Sequence, residues 1–189
     1  MAEEHIVTHG FGPVYDSRSR ILILGSFPSV KSREQQFYYG HPQNRFWRVL
    51  AALASYDREA GEQLAAADPG TKKRFLLDRG IALYDTIEQC RITGSSDASI
   101  RDAVPADLTP ILAGGGIGDR IYANGAKSHA LYMRHIYPVC GIAAVKLPST
   151  SPANAAWSLD RLIAEWQQLI GPLPLTGTGE EQPDEVQYR

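Results

Sequence analysis

Short apolar segments alternate along this chain with segments of helical periodicity. The clearest is Ile21–Leu24, an uninterrupted apolar run that ends at Gly25. Because every side chain in it is apolar, this run predicts a β-strand covered on both faces. Similar strands are predicted at 80–85, 119–123 and 141–147, with helical segments between them. Alternation of this kind predicts parallel pairing and a layered α/β domain.

A single domain is predicted for residues 1–170, with residues 1–17 as an irregular lead-in. The segment 171–189 is rich in Gly, Pro and acidic residues, so we expect a disordered acidic tail there. With 189 residues, the chain is long enough to bury a core that needs no disulfide or metal. Periodicity and capping signals predict helices over 44–53, 71–78, 108–113, 126–137 and 154–169.

The composition excludes several classes of protein. No apolar run approaches the roughly 20 residues of a membrane span, and the acidic start lacks the pattern of a secretory signal. Cys90 and Cys140 are too few for a four-cysteine iron–sulfur cluster or a disulfide scaffold. No Cys/His spacing fits a zinc finger. We therefore expect a cytoplasmic protein with reduced thiols, no metal and no membrane partner.

The charge distribution does not decide whether the chain binds nucleic acid. The formal net charge is −2, yet segment 15–48 carries six basic side chains and only two acidic ones. This mild basic excess permits a nucleic-acid partner. A solvated face of mixed charge explains the same excess equally well.

Loops of unusual composition follow the predicted strands. They are 25–29, 124–125 and 148–152, and the second strand ends at the carboxylate Asp85. In a parallel sheet, ligands bind beyond the carboxyl ends of the strands. We therefore expect these four points to meet in one crevice. The Gly-rich segment 114–118 does not add a dinucleotide site, because its spacing is wrong and it follows a helix rather than a strand.

Three loop segments resemble a known family in their order and context. They are Gly25–Ser29 (Gly-Ser-Phe-Pro-Ser), Tyr38–Trp47 (Tyr-Tyr-Gly-His-Pro-Gln-Asn-Arg-Phe-Trp) and Leu147–Asn154 (Leu-Pro-Ser-Thr-Ser-Pro-Ala-Asn). Together they resemble the uracil-DNA glycosylase superfamily. Within it, they are most similar to the hypoxanthine-DNA glycosylase branch, also called DNA-deoxyinosine glycosylase. The resemblance runs from about residue 12 to residue 170.

The resemblance implies a monofunctional DNA glycosylase of base-excision repair. Such an enzyme hydrolyses the bond between a deaminated base and deoxyribose and needs no cofactor. It also implies a three-layer α/β/α sandwich with a central four-stranded parallel sheet.

The expected partner is double-stranded DNA that contains a damaged base, with single-stranded DNA as a further form of substrate, and the expected state is a monomer. Hypoxanthine is the expected base. Uracil or xanthine excision, and a non-catalytic DNA-binding module on the same fold, remain alternatives.

The resemblance places the catalytic residue at Asn44. Many superfamily members instead hold the attacking water with Asn or Asp in the first loop, where this chain has Phe27. A carboxamide is no strong base, but it can place a water beneath C1′. The alternative for Asn44 is an N-cap of the next helix.

Asp85 is a second candidate for the catalytic residue, either orienting the water or stabilising charge on the sugar. Its alternative role is that of a turn residue at the end of the strand. His41 either protonates the departing base or orders its loop.

An extruded base needs a flat partner. Tyr39 is the first candidate, because it lies at the position of the family's stacking aromatic. Phe27 and Tyr38 are the others, and core packing is the alternative for all three. Backbone N–H groups of the first loop and the Asn124 side chain are candidates for reading the base. The predicted substrate-binding residues are Gly25, Ser26, Phe27, Pro28, Tyr39 and Asn124.

The last loop is the DNA-handling element by resemblance. Its hydroxyl groups suit phosphate oxygens, and its prolines stiffen it. Ala153 and Asn154 lie where the family inserts residues into the gap left by the extruded base. The alternative is a plain Ser/Pro-rich turn with Asn154 as a helix cap. The predicted DNA-binding residues are Ser149, Thr150, Ser151, Pro152, Ala153, Asn154 and, at another helix start, Lys127.

Overall fold

The computed structural model describes residues 4–93, 100–114 and 116–173. Seven strands and eight helices are assigned within these ranges. In chain order they are β1 (Glu4–Thr8), β2 (Ile21–Gly25), α1 (Val30–Gln35), α2 (Phe46–Leu53), α3 (Arg58–Ala66), α4 (Pro69–Asp78), β3 (Ile81–Asp85), β4 (Ile87–Thr93), β5 (Arg101–Pro105), α5 (Thr109–Gly114), β6 (Ile121–Asn124), α6 (Ala126–His135), α7 (Tyr137–Cys140), β7 (Val145–Leu147) and α8 (Leu159–Ile170).

A four-stranded parallel sheet forms the centre of the fold. Its strand order is β3-β2-β6-β7, and all three pairings are parallel. Strands β2 and β3 are buried along their whole length, as uninterrupted apolar runs predict. The predicted α/β fold class with a central four-stranded parallel sheet is therefore confirmed.

Helices pack on this sheet through apolar side chains. Helix α2 contacts α3 and α8, α4 contacts β3, and α6 contacts β6. Trp47 on α2 and Trp166 on α8 are completely or almost completely buried in the core. The ring of Phe46 meets that of Trp166 edge-on at 6.0 Å between centroids. The first turn of α2, which follows Asn44, is thereby anchored in the core.

A second sheet corrects the prediction for the amino-terminal segment. Residues 1–17 are predicted as irregular, but Glu4–Thr8 forms strand β1. It pairs antiparallel with β4, which in turn pairs with β5 in the order β1-β4-β5. The pairing of β1 with β4 joins residues more than 80 positions apart, such as Glu4 and Thr93. A local pattern does not reveal such a partner.

Several other boundaries differ from the predicted ones. Helices α1 and α3 were not predicted. The last helix begins at Leu159 rather than at 154, because Ser158 is its N-cap and accepts a hydrogen bond from the N–H of Arg161. The predicted helix 126–137 is divided into α6 and α7, and Gly141, in the left-handed conformation, ends α7. Strand β7 is consequently short.

Leu173, which follows helix α8, still packs against the domain. This side chain is buried, and its backbone N–H donates to the carbonyl of Leu53 at 3.0 Å. Residues 174–189, most of the predicted acidic tail, lie outside the described residues. None of the helices in the described part of the chain is long and apolar enough to cross a membrane.

Candidate functional site

A cavity of about 500 Å³ opens at the carboxyl ends of the parallel strands. Its walls come from the loops after β2 and β7, from Asp85 and Asn124 at the ends of β3 and β6, and from the segment before α2. The predicted meeting of these four strand ends in one crevice is therefore confirmed. Cavities of this size suit small organic ligands. The predicted site residues that line it are Gly25, Ser26, Phe27, Pro28, Tyr39, His41, Asn44, Asp85, Asn124, Ser149, Thr150, Ser151, Pro152 and Ala153.

Gly25 allows two polar side chains to approach the end of β2. A β-carbon on this residue would collide with Oδ1 of Asp85 and would lie 3.1 Å from the hydroxyl of Tyr39. Parallel pairing sets Gly25 and Asp85 side by side in register. The space of the missing side chain is thus taken by the carboxylate, which is why only glycine fits there.

Asn44 is held from two sides. Its Oδ1 accepts a hydrogen bond from the backbone N–H of Phe46 at 3.0 Å and another from the hydroxyl of Thr150 at 2.9 Å. A backbone N–H must donate, so this bond identifies the oxygen of the carboxamide. Asn44 therefore binds the first N–H of helix α2 and also lines the cavity, although the N-cap position itself is Arg45. The expectation that Asn44 is the N-cap is therefore wrong by one position, and its catalytic role stays a prediction.

Thr150 connects Asn44 to Asn124. The Thr150 hydroxyl accepts from Nδ2 of Asn124 at 2.9 Å, and its backbone N–H donates to Oδ1 of Asn124 at 3.0 Å. Nδ2 of Asn124 also donates to the hydroxyl of Tyr39 at 3.0 Å. The Thr150 side chain is fully buried. If this hydroxyl donated to a DNA phosphate, its hydrogen bond to Oδ1 of Asn44 would have to break.

The three candidate stacking aromatics differ in their environment. Tyr39 lines the cavity with a left-handed backbone, φ 52°, and its ring stacks on Phe46 with 3.8 Å between centroids. Phe27 also lines the cavity, while its ring packs in a small cluster with Ile87 and Leu131. The hydroxyl of Tyr38 donates to the carbonyl of Gly12 at 2.8 Å. Tyr38 is 2% exposed, so core packing describes it best.

Asp85 is paired with a histidine that the sequence did not single out. Nε2 of His9 lies 2.8 Å from Oδ2 of Asp85, and both side chains are buried. His9 sits among aromatic rings, with centroid distances of 4.4 Å to Phe11 and 5.0 Å to Tyr84. Burial, and then the charge of Asp85, raise the pKa of the neighbouring Tyr38 hydroxyl far above its ordinary value. No local signal marks His9, because its partner is 76 residues away.

Arg45 organises the loop that follows β7. Its guanidinium donates to the carbonyls of Ser151 at 2.6 Å, Asn154 at 3.1 Å and Trp157, and its Nε donates to the carbonyl of Thr150 at 3.3 Å. Partial burial lowers the pKa of this guanidinium. Within the described residues, no carboxylate pairs with it at salt-bridge distance. From the sequence, Arg45 belongs to the basic segment 15–48 and to the motif 38–47, and no role in the site is predicted for it.

Hydrogen bonds within the loop after β7 hold the side chains of Ser151 and Asn154 in place. Nδ2 of Asn154 donates to the carbonyl of Ser149 at 2.9 Å, and the hydroxyl of Ser151 accepts from the N–H of Ala153 at 3.2 Å. The suggestion that Asn154 caps the last helix is therefore wrong, since Ser158 does so. Asn154 is not among the residues that line the cavity.

Two predicted residues have a more limited place in the site. Nδ1 of His41 accepts from the backbone N–H of Gln43 at 3.2 Å, which orders the loop, and His41 also lines the cavity. Lys127 is exposed in the first turn of α6 and lies outside the cavity. Among the described residues, no group of three or more His, Cys, Asp or Glu side chains is arranged to hold a metal ion.

Comparison with known proteins identifies similar chains. The family model described as "Uracil DNA glycosylase superfamily" matches residues 12–170. A curated protein of Methanosarcina acetivorans, named hypoxanthine DNA glycosylase, is 32% identical over 165 residues, which cover 87% of this chain and 99% of that protein. A Methanosarcina barkeri protein of the same name is 37% identical over 125 residues, 63% of this chain and 72% of its own length.

The fold has a similar solved structure. It is the solution NMR structure of a candidate uracil DNA glycosylase from Methanosarcina acetivorans. The TM-score is 0.67 at 29% sequence identity, and the match covers 87% of this chain and 99% of that one. The likeness therefore extends over almost the whole of that smaller chain.

Proposed function

This chain belongs to the uracil DNA glycosylase superfamily and is a DNA glycosylase, and from that premise we propose that hypoxanthine is the base that it removes from DNA. Two curated relatives carry that activity in their names. The observation that carries the assignment of the site is the junction between Asn44 and the loop after β7, through the Thr150 hydroxyl, in the wall of one cavity. This junction joins the proposed catalytic residue to the proposed DNA-handling loop.

The reaction is a hydrolysis at C1′ of deoxyribose. The bond between C1′ and N9 of hypoxanthine breaks, and the bonding electrons leave with the base. A water oxygen forms the new bond to C1′, and the proton that the water loses ends on the departing base or in solvent. The sugar acquires positive charge before the water attacks, as in other glycosidic cleavages. An enzyme of this type gains most from positioning and electrostatics.

Asn44 is proposed to position the water. Its Oδ1 is already engaged by the N–H of Phe46 and by the hydroxyl of Thr150, whereas Nδ2 has no hydrogen-bond partner among the described residues. A carboxamide N–H can hold a water by one lone pair and leave another to attack carbon. The role is therefore one of placement rather than of proton removal.

The loop 148–154 is proposed to contact the DNA strand around the extruded nucleotide. Ser149, Ser151 and Ala153 line the cavity, and the guanidinium of Arg45 donates to the carbonyl of Ser151. Cationic and hydroxyl groups are the usual ligands of phosphate oxygens. We propose that the chain acts as a monomer on double-stranded DNA, since one extruded base needs one cavity.

The test is a panel of labelled duplexes that carry hypoxanthine, uracil, xanthine or a thymine mismatch. After incubation with protein, alkali cleaves each abasic site, and the single-turnover rate of base release is measured. We expect release of hypoxanthine. Retention of the duplex without cleavage would instead indicate a binding module, and cleavage of the uracil duplex alone would assign uracil as the substrate.

Asn44→Ala then tests the proposed catalytic residue. We expect a loss of base release of about 10²-fold or more, the scale of a lost positioning contact. We also expect a fall of about 1–3 kcal/mol in the free energy of unfolding, because the N–H of Phe46 and the hydroxyl of Thr150 lose their acceptor. Gln63→Ala is the matched control, because it removes an exposed carboxamide on α3. Near-normal release by Asn44→Ala would remove Asn44 from the mechanism.

A further inference from the structure

Asn44 lines two cavities. Besides the large one, a cavity of about 120 Å³ lies between the loop 40–44 and helices α2 and α3, and we call it the rear cavity. Tyr39, His41 and Asn44 line both cavities, so these residues separate the two. The wall that α2 and α3 contribute includes Arg48, Glu62 and Ala66.

The rear cavity has the room and the polar partners that water needs. A water molecule takes up roughly 30 Å³ in the liquid, so a volume of about 120 Å³ accommodates a short chain of them. A water inside a protein forms about three hydrogen bonds with polar groups. The carboxylate of Glu62, the guanidinium of Arg48 and the ring of His41 are such groups among the lining residues.

An ion pair joins helices α2 and α3 at the rear cavity. Nε and Nη2 of Arg48 donate to the two carboxylate oxygens of Glu62 at 2.7 and 2.8 Å. Nη1 donates to the carbonyls of Pro42 and Asn44 at 3.1 and 2.9 Å. The hydrogen bond from Arg48 lowers the pKa of Glu62, so the pair is ionised at neutral pH. Glu62 is an exposed residue, which places the ion pair between the rear cavity and solvent.

The larger cavity is closed to solvent when a duplex is bound for reaction. The extruded nucleotide fills its pocket, and the rest of the duplex covers the opening. Each base that is released nevertheless consumes one water. Oδ1 of Asn44 is engaged by Phe46 and Thr150, which leaves Nδ2 to hold that water. The rear cavity reaches the same residue from the protein side.

We propose that the rear cavity supplies the attacking water to Asn44 while DNA covers the larger cavity, and that the pair of Arg48 and Glu62 limits this route to molecules of the size of water. This inference rests on the proposed glycosylase function and deepens it by assigning the route of the nucleophile. The water oxygen bonds to C1′, the electrons of the C1′–N9 bond leave with the base, and the proton of the water passes to the base or to solvent.

Ala66→Leu tests the route by narrowing it. Ala66 is exposed on α3, and leucine is nearly as favourable in a helix as alanine, so we expect an unchanged melting temperature. Single-turnover base release should slow by about 10-fold or more, because the reacting water is no longer in place, while duplex affinity stays the same. Ala60→Leu makes the same change on the same helix outside both cavities, and it should release the base at the wild-type rate.

A competing nucleophile tests the route independently of the rate. In a mixture of methanol and water, the methanol oxygen bonds to C1′ and its hydroxyl proton is lost, which gives a methyl glycoside instead of an abasic site. Glu62→Ala removes the ion pair and widens the rear cavity. We expect the ratio of methyl glycoside to abasic site to rise by at least about 10-fold, the discrimination that a fitted site shows against one added methylene. Glu59→Ala removes an exposed carboxylate of α3 outside both cavities and should keep the wild-type ratio.

Two results would overturn the inference while the proposed function stands. One is base release by Ala66→Leu as fast as by Ala60→Leu. The other is a Glu62→Ala variant that forms no more methyl glycoside than Glu59→Ala does, since a displaced Asn44 alone would change the rate and not the ratio. If the wild-type protein releases only uracil, the same variants are compared on the uracil duplex. If it releases no base from any duplex, the proposed function and this inference are both overturned.

Discussion

The hydroxyl of Thr150 donates to Oδ1 of Asn44 across 106 residues of chain, with 2.9 Å between the oxygens. The same hydroxyl accepts from Nδ2 of Asn124 at the end of β6. A single buried side chain thus sets the position of the carboxamide proposed to place the attacking water. It also joins the carboxyl ends of two parallel strands to the start of helix α2.

Thr150→Val tests this connection. The substitution keeps the shape of the side chain and removes the hydroxyl. We expect a loss of about 1–2 kcal/mol in the free energy of unfolding, because two partly buried polar partners, Asn44 and Asn124, lose their bonds to this hydroxyl. We also expect base release to slow by at least about 10-fold at saturating DNA, with little change in DNA affinity. Thr150→Ser restores the hydroxyl and serves as the control. Equal rates for the Val and Ser variants would argue against the connection.

Gly25→Ala addresses the close approach of Asp85. The new methyl group would overlap Oδ1 of the carboxylate. Overpacking of this kind costs about 1–3 kcal/mol in the free energy of unfolding, and we expect displacement of Asp85 and a fall in base release. Gly12→Ala is the control, because nothing lies within 4 Å of a β-carbon there. Denaturant unfolding and single-turnover assays measure both effects. A Gly25→Ala variant as stable and active as Gly12→Ala would contradict the expectation.

Arg45→Met tests the support of the DNA-handling loop. The variant loses the guanidinium that binds carbonyls of residues 150, 151, 154 and 157. We expect the free energy of unfolding to fall by about 1–3 kcal/mol and duplex affinity to weaken, because the loop and its positive charge are both altered. Lysine at this position cannot reach the same carbonyls from one ammonium group, so Arg45→Lys should rescue little. Arg58→Met removes an exposed arginine and controls for charge alone.

Tyr39→Ala tests the stacking role. A base that stacks on an aromatic ring gains roughly 1–3 kcal/mol, so we expect duplexes with deoxyinosine to bind about 10- to 100-fold more weakly. Tyr39→Phe keeps the ring but removes the acceptor for Asn124. It should retain affinity and lose rate. Fluorescence anisotropy measures affinity, and an unchanged affinity in Tyr39→Ala would refute the stacking role.

Features that depend on a local pattern of residues can be predicted from this sequence. The apolar run of β2 and its end at Gly25 predicted a buried parallel strand, and the rule for parallel sheets predicted that the loops after the strands converge. The sequence motifs also mark Asn44 and the loop 148–152, which both line the cavity. The same local patterns do not predict β1, because the short edge strand Glu4–Thr8 has no regular alternation of polar and apolar residues and is regular only beside its partner β4.

The sequence by itself determined the α/β class, the edge of the sheet that bears the cavity and the residue types around it. These follow from periodicity and from the direction of parallel strands, which each segment carries within itself. Only the tertiary structure decided that His9 binds Asp85, that Thr150 binds Asn44 and that Arg45 binds the last loop. These contacts join segments 76 to 112 residues apart. Their geometry depends on strand register and loop path, which no local pattern of residues encodes.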